Sequence, residues 1–117
     1  MLTRDQILAI KDIVKEEVEV PEWGGSVFVR TMTGTERDAL ENSVVIQKGK
    51  KRTTNMENFR AKVVAHSVCD EKGDLLFTEA DIEALSMKSS SALQRLFDVA
   101  ARLSGLTAED TEELTKN

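Results

Sequence analysis

The sequence predicts a small α+β domain, mostly helical, with an N-terminal β-hairpin packed on a helical bundle. Three observations predict it. Val18 and Val20 alternate with Glu17 and Glu19, and a second apolar run, Val27 to Met32, follows across a Pro- and Gly-containing turn. Three Thr-x-x-(Gln/Glu/Asp) patterns, at Thr3, Thr33 and Thr78, mark helix starts. The segment after Ser89 carries one continuous helical stripe, Leu93, Leu96, Phe97, Ala100, Ala101 and Leu103.

The elements follow in order. Thr3 caps a short helix from Arg4 to about Ile10, with Gln6 completing the box. The Glu/Val alternation gives a strand with one wet face, and Pro21 ends it because proline donates no ladder hydrogen bond. Gly24-Gly25 supplies the turn. Val27 to Met32 is the second strand. An isolated hairpin is marginal, so helices must cover its apolar face. Thr33 and Glu36 open a second helix, with Leu40 and Val44 as its buried positions. Residues 47–55, QKGKKRTTN, read as a flexible loop, because so polar a stretch offers little burial to offset the entropy of ordering. Met56, Phe59, Val63 and Ser67 share a face, predicting a helix from Met56 to about Val68. Glu71 to Asp74 form a turn, with Leu75, Leu76 and Phe77 as an apolar clamp behind it. Thr78 caps a short helix from Glu79 to about Leu85. Ser89 to Ser91 cap the longest helix, which Gly105 ends in a left-handed cap with Leu106 as its hydrophobic contact. Thr107 and Asp110 start a last short helix to about Leu114. No internal repeat is present, and residues 1–117 are expected to form a single domain.

Composition excludes several classes. With 117 residues, the chain can bury one core but not two. A net charge of −5 argues against nucleic acid as the main ligand, since phosphate binding needs a basic footprint. The single Cys allows no internal disulfide. The opening MLTRDQILAI has no continuous apolar h-region, and no run of about 18 apolar residues occurs, so neither a signal peptide nor a membrane partner is expected.

No constellation carries catalytic or metal chemistry. His66 and Cys69 lie three apart, but no second Cys/His pair completes a zinc site. Val68 to Asp81 fails the calcium-loop pattern: with Gly73 at position six, Val68 falls at position one and Lys72 at position five. Asp70-Glu71 and Glu112-Glu113 read as solvated carboxylates, and Ser89 to Ser91 as caps. No catalytic, cofactor-binding or metal site is therefore expected, and the chain is expected not to be an enzyme. Lys48, Lys50, Lys51 and Arg52 make a basic cluster with no interleaved aromatic. It reads as a solvated loop first and a contact for an acidic protein second. Trp23 is either a cap on the core or an anchor for a protein partner.

The order of these pieces resembles the tail assembly chaperones of long-tailed bacteriophages and prophages. VEVPEWGGSVFVRTMTGTERD, Val18 to Asp38, is similar to the family's opening. FRAKVVAHSVCDEKGDLLFTEADIEALSMKSSSALQRLF, Phe59 to Phe97, is similar to its middle, and AARLSGLTAEDTEELTKN, Ala100 to Asn117, to its end. The resemblance implies a non-enzymatic protein of the host cytoplasm, absent from the mature virion. It implies binding to the tape measure protein, recruitment of the major tail protein through a frameshifted extension, and a possible homo-oligomer. It carries over no catalytic or binding residue. Lys116-Asn117 is compatible with an A-rich slippery site at the codon level. The alternatives are a structural tail or head-tail connector component, and an unrelated bacterial adaptor or regulator using the basic cluster.

Overall fold

The computed structural model describes residues 1–107, and its elements are those of a small α+β domain. A first helix, α1 (Arg4–Ala9), has the expected capping box: Thr3 Oγ1 accepts from the Gln6 N–H, and Gln6 Oε1 accepts from the Thr3 N–H. Strand β1 (Lys15–Val20) runs into a single 3-10 turn at Pro21–Trp23, then β2 (Gly25–Arg30) returns antiparallel. Val18 pairs with Val27 and Glu17 with Phe28, which turns Val18, Val20 and Val29 to the core. The second strand stops at Arg30 rather than Met32. Thr31 instead exchanges hydrogen bonds with Val14, and the Met32 N–H donates to Ser104 Oγ at 2.9 Å.

Helix α2 (Gly34–Val44) begins at the predicted Thr33/Glu36 box and buries Leu40 and Val44. Residues 47–55, expected as a loop, instead lie largely in an antiparallel hairpin of β3 (Val45–Lys48) and β4 (Lys51–Thr54). Gly49 takes φ +61°, a conformation that costs glycine little, so a two-residue turn closes the ladder. Polar composition obscured a short strand–turn–strand flanked by β-branched Val45, Ile46, Thr53 and Thr54.

The next helix, α3 (Phe59–Ala65), is shorter than predicted at both ends. Asn58 has φ +61° and opens it. At the other end Ser67 and Val68 are drawn into the sheet: the Arg30 N–H donates to Ser67 O at 2.9 Å. Strand β5 (Val68–Cys69) then completes a sheet of order β1-β2-β5, with Val29 opposite Val68. The Asp70 to Asp74 turn returns the chain so that Leu75 bridges Cys69. Of the predicted clamp, Phe77 packs on the core while Leu76 is exposed. A 3-10 turn at Glu79–Asp81 leads into α4 (Ile82–Ser86), where Asp81 Oδ2 accepts from the Thr78 N–H.

Helix α5 (Ser90–Ser104) is capped by Ser89 Oγ and buries Ala92, Leu93, Leu96 and Ala100 against α3 and β2. Phe59 and Phe97 meet edge to face at 5.9 Å. Gly105 ends the helix at φ +66°, and Leu106 folds back, donating to Ala101 O at 2.8 Å. The helix expected from Thr107 to about Leu114 lies almost wholly outside the described residues.

Arg30 ties the pieces together. It is only 8% exposed. Nε donates to Gly73 O at 2.8 Å, and Nη1 and Nη2 donate to the two Glu36 carboxylate oxygens at 2.8 and 2.7 Å. Glu36 Oε1 also accepts the Thr33 N–H at 2.8 Å. Burial alone would raise the Glu36 pKa, but the Arg30 hydrogen bonds and the Thr33 N–H outweigh it, and the carboxyl sits below its ordinary range.

Two predictions follow from this frame. A carboxylate whose folded pKa is depressed stabilises fully above its unfolded pKa of about 4.3 and loses that stabilisation as pH falls through the folded value. Glu36→Gln keeps a side-chain acceptor for the cap but leaves Arg30 without a countercharge. It should lower stability by about 3 kcal/mol at pH 7, a gap that narrows below about pH 4. Urea unfolding across that range measures it, and a gap independent of pH would refute the assignment. Gly105→Ala meets open space, so its cost is conformational alone: about 1 kcal/mol from forcing a Cβ into the left-handed region. Gly25→Ala, also in open space but without a positive φ, is the control in thermal melts and should shift far less.

Candidate protein-binding surface

Of the polar residues singled out in the sequence, Cys69, His66 and Asp70 are placed by the fold, while Glu112-Glu113 lie outside the described residues. Cys69 is buried in β5, where burial pushes its thiol pKa up despite nearby Arg30. His66 caps α3, and its Nε2 lies 3.3 Å from Glu79 Oε1, at ion-pair distance but outside hydrogen-bond geometry. Asp70 Oδ1 accepts from the Lys72 and Asp74 N–H groups at 2.8 and 3.0 Å. The N–H of Asp74 foremost holds the Asp70 carboxyl below its ordinary pKa, so this side chain builds a turn. Among the described residues, no group of three or more His, Cys, Asp or Glu side chains converges as a metal site would require.

The basic cluster sits on the β3–β4 hairpin. Lys48 is directly opposite Lys51, with Lys50 in the turn and Arg52 opposite Gln47. Four cations on one small ribbon repel one another, and a face that tolerates this is solvated or meets an acidic surface.

Trp23 is half-buried against the core. Glu22, beside it, is bound by Arg95 at 3.1 Å, which fastens the turn to α5. The Arg95 hydrogen bonds are the main cause holding the Glu22 carboxyl below its ordinary range. With Phe77, Ala84 and Leu85, Trp23 lines an open apolar groove of about 460 Å3, flanked by Asp81 and Lys88. The packing bears out Trp23 as a cap on the core, and the indole also borders an open groove. The α5 stripe is different: Leu93, Leu96 and Ala100 are interior and unavailable to a partner.

The surface that sequence reasoning missed is the N-terminal arm. Helix α1 buries no residue at all. Leu2, Ile7, Leu8, Ile10, Ile13 and Val14 are 60, 54, 68, 50, 44 and 55% exposed. Single exposed apolar residues are ordinary, but so many in one short segment mark an interaction surface. Among the described residues, the arm's hydrogen bonds to the body lie at its base, where Val14 N–H donates to Thr31 Oγ1 at 3.1 Å and Val14 O accepts the Thr31 N–H at 2.9 Å. Between arm and body lies a cleft of about 570 Å3, lined by Ile10 and Ile13 and by Lys11, Lys15 and Lys72. Lys15 donates to Glu71 O and lies 4.6 Å over the Phe28 ring. Nothing in the one-turn pattern Ile7, Leu8, Ile10 distinguishes an exposed helix from a docked one.

Comparison with known proteins completes the picture. No curated protein sequence matches the chain. Among solved structures, the bacteriophage HK97 tail assembly chaperone shares its fold, with a TM-score of 0.59 and 20% identity, over 85% of this chain and 94% of that one. The family model for phage tail assembly chaperones matches residues 3–117. That match assigns the chain a role in phage tail assembly and partners among phage tail proteins. By a match that spans nearly its whole length, the chain belongs to the phage tail assembly chaperone family.

Proposed function

We propose that the protein is a non-enzymatic chaperone that binds the tape measure protein, keeps it soluble, and helps recruit the major tail protein during tail assembly. It acts in the host cytoplasm and leaves before the virion is mature. A frameshifted extension of the chain makes the contact with the major tail protein.

The observation that carries this reading is the exposed apolar arm on a chain of this family. A tape measure is a long helical protein whose apolar stripes are an aggregation hazard before the tube encloses them. A partner must cover such stripes reversibly, and helix-in-groove packing does so. The arm offers Ile7, Leu8 and Ile10 for that packing, and the net charge of −5 favours solubility of the resulting complex. Many copies bound along one target would add avidity.

Co-expression with the tape measure protein of the same gene cluster tests the proposal. The tape measure should move from the insoluble to the soluble fraction and co-purify with the tagged chain at moderate salt. Purified virions should lack the chain. A tape measure that stays insoluble and unbound, or a chain retained in virions, would instead favour a structural tail component.

A further inference from the structure

We propose that the N-terminal arm and the basic cleft beneath it form one docking surface, and that its occupant is an amphipathic helix whose apolar stripe is edged by carboxylates. The inference rests on the chaperone reading for its biological setting, but the chemistry of the occupant is argued from the surface alone.

The apolar half of the surface is explicit in α1. A six-residue helix is far below the length that is stable alone in water. Its capping box satisfies two terminal N–H groups but does not by itself hold so short a helix. Among the described residues no side chain of α1 is buried, so the body they form adds little to its packing. Ile7 and Leu8 point their apolar surface to solvent, and Ile10 and Ile13 carry it down into the cleft. The Val14–Thr31 pairing fixes where the arm leaves the body. The arm is thus an exposed apolar helix, hinged at a defined point.

The charged half specifies that partner. Among the described residues, Lys11, Lys15 and Lys72 line the cleft with Asp12 as the single carboxylate, in a chain of net charge −5. Arg30 also reaches the cleft, but both its Nη groups are bound to Glu36, so its charge is already balanced. The surplus is cationic and surrounds apolar side chains. A helix with acidic edges matches both properties. A second copy would bring an equal surplus of cations to the interface, which an acidic-edged helix does not. The Trp23 groove lacks the same bias, since Asp81 and Lys88 flank it with opposite signs.

Two synthetic amphipathic peptides of roughly 15 residues test the inference. They share a Leu stripe and differ only in Glu or Lys along its edges. The wild-type chain should bind the Glu-edged peptide about tenfold more tightly. The double variant Ile7→Asp, Leu8→Asp should lose about tenfold in that affinity with its thermal unfolding unchanged, because neither side chain is buried. Lys11→Glu with Lys72→Glu should remove or reverse the preference for Glu edges. Equal binding of both peptides, or an arm variant that binds as well as wild type, would overturn the proposal. So would an arm variant that changes only the oligomeric state in light scattering, since the arm would then be a contact between copies. The two readings separate cleanly. If the tape measure co-purifies equally with wild type and the arm variant, the docking surface fails and the chaperone reading stands. If the peptides discriminate as expected but the tape measure never co-purifies, the surface stands and the chaperone reading fails.

Discussion

The pairing of buried Arg30 with half-buried Glu36 is the constraint on which the rest of the structure depends. One guanidinium closes three separations in the chain: strand β2 to the Gly73 carbonyl, strand to helix α2, and, through Glu36, helix α2 to its own Thr33 cap. A guanidinium that is 8% exposed is costly unless nearly every donor is used, and here Nη1 also donates to Thr31 O at 2.9 Å. The bidentate geometry fixes the angle at which α2 leaves the sheet as well as its distance. The same residue's backbone N–H draws Ser67 out of α3 and so allows β5 to form. A lysine at this position would supply charge without the fork.

Around that pair the fold separates what is rigid from what is offered. The interior is made by α5 closing on the three-stranded sheet and α3 packing on α5, with Leu96, Val63 and Val64 fully buried and Phe59 set against the partly buried Phe97. Edge strand β1 is protected by Lys15, Glu17 and Glu19, whose charges discourage a further strand from adding there. Two pieces lie outside this body: the β3–β4 hairpin with its four cations, and the arm with its exposed apolar residues. Arg30 lies at the end of β2, one residue before Thr31, where the arm is hinged. The interaction that orders the core therefore also sets the position of the surface proposed to receive a partner.

Charge divides the surface in a way the total conceals. The chain is acidic overall, yet its cations gather at the hairpin and in the cleft, while carboxylates of β1 and the Pro21–Trp23 turn are tied to α5 by Arg102 and Arg95. Exposed pairs of this kind add little stability. Their effect is to leave the cleft as the place where positive charge and apolar surface coincide.

The capping residues, the period-two alternation of β1, and the stripe and left-handed end of α5 were legible in the sequence because each is local: it depends on residues within about one turn of one another. The family could be read too, since its pieces recur in order along the chain. Other features depended on partners far away in the chain. Val68 and Cys69 have helical neighbours but become a strand because Val29 and Phe28 present a free edge. The β3–β4 ribbon hides in a polar stretch because its ladder, and not its burial, organises it. The exposure of α1 was invisible for the opposite reason. Ile7, Leu8 and Ile10 have the composition of a core, and only the packed body, which among the described residues closes without them, shows that they stay exposed. The sequence by itself determined the local elements, their caps and the family; the tertiary structure decided which apolar residues the domain keeps and which it exposes, because burial depends on what the rest of the chain brings near.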